Sequence, residues 1–273
     1  MNKPVIIITG ASSGIGAATA RRLAREQVCL TLAARREGRL QELAKEVEAL
    51  GSEALIVPTD VTQRSDIRRM LHATQERWGR VDVLLNNAGI SFDEPLVELK
   101  PDRIRTEVAV NLIAVIECSQ AVLPMMLGQK SGHIINVASI DGLIATPGSS
   151  VYCATKFGVF GFSDALRRQL RGSGVSVSAV CPGYTPSEIT PRLKAIVDGS
   201  SEAVHHPGLM PTAYVADQIA KLARHPRRML VLPHSWSVLV TVAFLFPGLA
   251  DRLVSSFKAK RTEASKVHVD DSN

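Results

Sequence analysis

Short apolar runs alternate with amphipathic stretches along most of the chain. Val5 to Thr9 is a β-branched run with no polar alternation, which predicts a strand buried on both faces. Similar runs predict further strands at Val28 to Ala34, Ala54 to Val57, Val81 to Leu85, Ile134 to Val137, Val175 to Cys181 and Met229 to Leu232. Between them, helical spacing predicts helices at Ala17 to Glu26, Leu40 to Leu50, Gln63 to Trp78, Pro101 to about Leu127, Ser150 to Leu170 and Ala213 to Arg224. Strand and helix alternating in this way predict an α/β fold: one doubly wound parallel sheet, in a single domain over residues 1–234. No internal repeat and no linker interrupts it. The stretch from Tyr184 to Pro211 is rich in Pro, Ser and Gly, with a helical patch near Leu193 to Val197. Its length suggests a substrate lid.

The rhythm ends at residue 235. Trp236 to Leu249 is strongly apolar, broken by Pro247-Gly248, and flanked by Arg227 and Arg228 before and Arg252, Lys258, Lys260 and Arg261 after. It is too short for a membrane span. Residues 235–261 are expected to pack on the main domain or a second subunit, with contact at a membrane surface as the less favoured reading. Residues 262–273 form a polar tail.

Composition narrows the partners. Of 273 residues 45% are hydrophobic, enough for a large core, while only 4% are aromatic, too few for a platform that stacks nucleic-acid bases. The net charge of +6 fits an anionic partner, but a polyanionic small molecule meets that need. Arginines are spread along the chain, which argues against nucleic acid. Cys29, Cys118, Cys153 and Cys181 have no metal-ligand spacing, so no metal site is expected. Reduced thiols, together with a first apolar run too short for a signal peptide, suggest a cytoplasmic protein.

Candidate chemistry sits at the predicted strand ends. Gly10, Ser12, Ser13, Gly14, Ile15 and Gly16 fall in the turn between the first strand and helix, where backbone N–H groups and the helix dipole suit a phosphate. The second strand ends at Ala34-Arg35-Arg36, about 20 residues on, where a dinucleotide fold meets the adenosine ribose. An acidic residue there would hold a 2′-hydroxyl; an arginine, Arg35 first, suits a 2′-phosphate. Farther on, Ser139 ends the fifth strand, and Tyr152 and Lys156 share one face of the next helix. An ammonium about 4 Å from the phenol, at an effective dielectric of ~20, favours phenolate by ~4 kcal/mol, which would draw Tyr152 toward neutrality. Burial opposes this. Taken alone, Tyr-x-x-x-Lys is most simply a core aromatic beside a solvated lysine.

Thr9-Gly-Ala-Ser-Ser-Gly-Ile-Gly16, Asp60, Asn86-Asn-Ala-Gly89, Asn111, Ser139, Tyr152 with Lys156, and Pro182-Gly183 occur together, in order, between Val5 and about Leu232. Jointly they resemble the short-chain dehydrogenase/reductase family. The resemblance implies a Rossmann-like fold and a catalytic set of Asn111, Ser139, Tyr152 and Lys156. Tyr152 would exchange the proton with a carbonyl oxygen, Ser139 would steady that oxygen, and Lys156 would lower the Tyr152 pKa and bind the nicotinamide ribose. Asn111 would hold a relay water. The implied cofactor set is the glycine turn, Arg35, Arg36, Asp60, Val61, Asn87, Ala88, Gly89, Tyr152, Lys156, Pro182, Gly183, Thr185 and Ser187. Asn86 is expected to be structural. Ser187 stands where the family usually has threonine.

NADP(H) is therefore expected over NAD(H), with hydride passing between the nicotinamide and a small hydrophobic carbonyl or alcohol. Ile140, Leu143, Ile189, Leu193, Ile196, Val197, Leu209 and Met210 are the candidate apolar wall, with Asp141 the odd charge. A homodimer or homotetramer is implied. The alternative is a non-catalytic nucleotide-binding scaffold on the same fold, which gives no chemical reason for the four catalytic residues to occur together.

Overall fold

The computed structural model describes residues 3–92, 94–186, 188–189, 209–248 and 251. Seven strands form one parallel sheet: β1 (Val5–Thr9), β2 (Cys29–Ala34), β3 (Glu53–Pro58), β4 (Val83–Asn86), β5 (Gly132–Val137), β6 (Val175–Pro182) and β7 (Met229–Leu232). Their order is β3-β2-β1-β4-β5-β6-β7. The chain thus runs outward from β1 in one direction, then returns to lay β4 on its other side, Ile6 pairing with Val83. Beside that reversal, at the carboxyl ends of the strands, such sheets open a crevice.

Eight helices are described: α1 (Gly14–Ala24), α2 (Glu37–Ala49), α3 (Arg64–Trp78), α4 (Pro101–Val108), α5 (Ala114–Gln129), α6 (Ser150–Gln169), α7 (Thr212–Arg224) and α8 (Trp236–Leu245). Alternation along β1 decides which layer each residue feeds. Ile6 and Ile8 join Leu23, Leu43 and Ile219 under α1, α2 and α7. Ile7 points the other way and joins Met70, Val122 and Leu166 under α3, α5 and α6. Among the described residues the expected strands form, and so do the expected helices apart from the break described next, with ends shifted by a few residues.

One feature differs from the sequence reading. The helix predicted from Pro101 to Leu127 is not continuous: Ala109–Ile113 forms a π turn between α4 and α5. Its cause is Asn111, fully buried, whose side chain bonds to the distant Ile90 backbone instead of presenting a regular helical face. In the C-terminal part, α8 touches the main domain through the buried Val240, and through Trp236 against Gly183. Val238, Leu239, Phe244, Leu245 and Phe246 are exposed on it. The expected patch at Leu193 to Val197 and the basic residues Arg252, Lys258, Lys260 and Arg261 lie outside the described residues.

Candidate active site

A cleft of about 470 Å³ opens over the carboxyl ends of β1, β2, β4, β5 and β6. At one end is the glycine turn. Gly10 and Gly14 have φ of +66° and +54°, the left-handed region that glycine enters without strain. A Cβ on Gly16 would lie 2.5 Å from the Gly10 carbonyl oxygen, so no other residue fits there. No side chain caps the start of α1, which leaves its first N–H groups for an anion. The turn is clamped from β4. Asn87 Nδ2 donates to the Thr9 and Gly10 carbonyls at 3.0 and 3.3 Å, and the Asn87 and Ala88 N–H groups donate to Thr9 Oγ1 at 3.0 and 3.2 Å.

The arginine over this turn is Arg36. It donates to Ser12 Oγ from Nε (3.1 Å) and Nη2 (3.0 Å), and to Ser13 Oγ at 2.7 Å. Arg35, which the sequence reading put first, lines the same end of the cleft. Glu188 accepts from Arg36 Nη1 and Arg39 Nη1, both at 2.5 Å. These two cations hold its carboxyl down at about 2, the Arg39 hydrogen bond being the larger effect. Asp60 and Val61 line the neighbouring wall, Asp60 accepting from the Thr62 N–H and hydroxyl at 3.0 and 2.8 Å.

At the other end stand Ser139, Tyr152 and Lys156. Ser139 follows β5 in extended conformation and accepts from the Asp141 N–H at 3.1 Å, capping the short turn Ile140–Gly142. Tyr152 and Lys156 lie one helical turn apart on α6, with Lys156 Nζ 5.5 Å from the Tyr152 ring centre. Nζ also donates to the Val137 carbonyl at 2.9 Å. Burial pulls Lys156 down to about 8, the nearby Glu107 acting weakly upward. Burial likewise pushes the Tyr152 phenol well above its ordinary value. Asp141 adds to this, and a side-chain hydrogen bond with Ser139 works against it.

Burial thus acts on Tyr152 in the direction opposite to the one expected from a neighbouring ammonium.

Asn111 lies behind this pair. Its Oδ1 accepts from the Ile90 N–H at 2.9 Å, and its Nδ2 donates to the Ile90 carbonyl at 2.8 Å and Thr155 Oγ1 at 3.3 Å. Gly89, Pro182, Gly183 and Thr185 line the cleft between the two ends. Asn86 is buried, donating to Asn136 and Ser119 at 2.9 and 3.1 Å. Of the candidate apolar wall, Ile140 and Ile189 line the cleft. Leu143 and Met210 instead belong to the hydrophobic core, because each is tucked under a helix. Ser187, Leu193, Ile196 and Val197 lie outside the described residues. Sequence reasoning missed Thr9 as a clamp, and Glu188 and Glu107 as counter-charges. A lone hydroxyl in a buried strand was the signal for Thr9; nothing local marked the two glutamates.

Residues 4–198 match the family model described as short chain dehydrogenase. The chain belongs to that family. Membership makes it an oxidoreductase that uses a nicotinamide cofactor. An oxidoreductase of Listeria monocytogenes is 41% identical over 198 residues, 72% of this chain and 79% of that protein. The ketoacyl reductase HetN of Nostoc is 30% identical over 269 residues, 94% and 92% of the two chains. Among solved structures, a variant of actinorhodin polyketide ketoreductase with NADPH superposes with a TM-score of 0.75 at 31% identity, covering 85% of this chain and 97% of that one.

The cleft fits such a cofactor. It offers an uncapped helix start, a turn that no Cβ can enter, and a guanidinium where an acidic residue would mark an unphosphorylated ribose.

Proposed function

We propose that the protein is an NADPH-preferring carbonyl reductase acting on a small hydrophobic ketone or aldehyde. The observation that carries this reading is the convergence of Ser139, Tyr152 and Lys156 at one end of a cleft whose other end holds the glycine turn and Arg36. Tyr152 is a neutral phenol at pH 7, the form a proton donor needs.

A bound NADPH would supply the hydride. The chain's residues do the rest. The first amides of α1 and the side chain of Arg36 would hold phosphates, and Lys156 the nicotinamide ribose. Tyr152 would give its proton to the carbonyl oxygen while Ser139 donates a hydrogen bond to the same atom, stabilising the developing charge. Lys156, mostly charged below its value of about 8, would compensate the phenolate left behind. Asn111 fixes the Ile90 backbone beside them and is placed to order a water between Lys156 and solvent.

Ile140 and Ile189 give the cleft an apolar wall, and Asp141 beside Tyr152 would repel anions near the reacting carbon. The ketoacyl and polyketide reductases among the relatives support a 3-oxo thioester as the first class to try. A homodimer or homotetramer in the cytoplasm completes the reading.

The test is loss of NADPH absorbance against a panel of 3-oxoacyl thioesters, aromatic and steroid ketones and simple aldehydes. Tyr152→Phe should lose turnover while NADPH binding, followed by fluorescence, stays within about twofold, because the phenol touches the reacting oxygen and the phosphate contacts lie elsewhere. Near-normal kcat in that variant would remove Tyr152 from the chemistry.

A further inference from the structure

We propose that Glu188 is a specificity-determining residue for the cofactor: a tethered internal anion that competes with a 2′-phosphate for Arg36 and Arg39. The proposal rests on the reading of Arg36 as the phosphate-binding side chain.

One carboxylate is shared between two guanidiniums, Oε2 on Arg36 and Oε1 on Arg39. Three of the donor nitrogens of Arg36 are engaged: Nε on Ser12, Nη2 on Ser12 and Ser13, and Nη1 on Glu188. Glu188 is 152 residues from Arg36 and comes from the segment after β6, on the far lip of the cleft. That segment is moored next door by the Ser91 N–H, which donates to the Ile189 carbonyl at 3.2 Å. The Glu188 bridge therefore spans the adenosine end from one lip to the other.

Charge and exposure make the bridge exchangeable. The side chains of Arg36 and Arg39 are 43% and 47% exposed and that of Glu188 is 23% exposed. Pairs this wet are weak, and a released carboxylate is readily rehydrated. A phosphomonoester carries about −1.5 to −2 charge at pH 7, against −1 for the carboxylate, and offers three acceptor oxygens. It wins the exchange but must pass through it. A nucleotide without the 2′-phosphate does not need the arginines and leaves the bridge as it is. Glu188 thus loosens the grip on phosphorylated cofactor alone, which would also speed its exchange after turnover.

The experiment is calorimetric titration of wild type and Glu188→Gln with two probes, adenosine 2′,5′-bisphosphate and ADP, at low salt. Removing two exposed pairs should tighten the bisphosphate by roughly 2- to 30-fold. ADP should stay within about twofold. Unchanged or weaker bisphosphate binding would overturn the proposal, since Glu188 would then be orienting Arg36. An equal gain for both probes would overturn it too, making Glu188 a general gate.

Arg36→Gln separates this from the underlying reading. If wild type fails to prefer the bisphosphate and Arg36→Gln changes nothing, the phosphate reading itself falls and the proposal with it. If Arg36→Gln erases a wild-type preference that Glu188→Gln leaves untouched, only the proposal falls. Matching melting temperatures for the three proteins would show that the comparison is between folded states.

Discussion

Gly142 is where a single methyl group should test the catalytic geometry without replacing a catalytic residue; the new Cβ would also lie 3.2 Å from Lys156 Cβ. It ends the short turn that Ser139 caps, and it packs against the backbone of α6. A Cβ on it would lie 2.6 Å from the Lys156 carbonyl oxygen and 2.7 Å from its carbonyl carbon. Neither atom belongs to a flexible side chain. To reach ordinary contact the turn and the helix must part by roughly 0.8 Å. Ser139 rides on one side of that seam, and Tyr152 and Lys156 on the other. Gly142→Ala should therefore cost about 1–3 kcal/mol of stability through overpacking. A shift approaching 1 Å among reacting groups should lower kcat by about 10²-fold. NADPH affinity should fall much less, because Arg36 and the glycine turn lie at the other end of the cleft. Steady-state kinetics on the best carbonyl substrate, fluorescence titration with NADPH and thermal unfolding measure the three quantities. Gly128→Ala on α5 is the control: nothing lies within 4 Å of its Cβ position. It should stabilise by about 0.5–1 kcal/mol and leave the rate alone. A Gly142→Ala protein that folds normally with wild-type kcat would refute the reasoning, because it would mean that the spacing of turn and helix does not set the chemistry.

Two further predictions follow from buried His133 and from α8. His133 lies at the start of β5, with Nε2 2.8 Å from Ser178 Oγ, and burial pulls it down to about 4. Between pH 6.5 and 4 the unfolded chain therefore binds a proton that the native state refuses. Stability should rise with pH across that window, by about 3 kcal/mol in all. Urea unfolding at pH 5 and 7 should show a clearly smaller difference for His133→Gln than for wild type; parallel curves would exclude His133 as the cause. On α8, Phe244 and Leu245 are 62% and 67% exposed. Leu245→Glu should leave the melting temperature almost unchanged, since the side chain is mostly exposed, while light scattering shifts to smaller species as a subunit contact is lost. Unchanged mass together with lost binding to anionic vesicles would assign the face to lipid instead.

How far the sequence reached depends on how local each cause is. The strands were legible because β-branched runs such as Val5–Thr9 carry their own signal, and Tyr152 with Lys156 because four residues on a helix always share a face. The π turn was not legible: Asn111 leaves the helical pattern to satisfy Ile90, 21 residues earlier. The hold of Arg36 on Ser12 and Ser13 was not legible either, because it depends on how the chain leaves β2. For Tyr152 the sequence showed the neighbouring Lys156 and the opposing effect of burial, but the depth of that burial and the approach of Asp141 on the turn after Ser139 come from the fold.

These misses share a direction, and it bears on function. Each contact that spacing did not show is a counter-charge or a backbone tie supplied from a distance: Asp141 and Glu107 near the catalytic pair, Glu188 on the arginines, Thr9 and Asn87 on the glycine turn. The motif residues alone would equip either direction of hydride transfer and either cofactor. Burial and Asp141 both act to keep the Tyr152 phenol protonated. Under the proposal above, the anion tethered at Arg36 would set how strongly a 2′-phosphate must compete for its place. Local spacing therefore names the chemistry, and the long-range contacts shape the surroundings in which it runs.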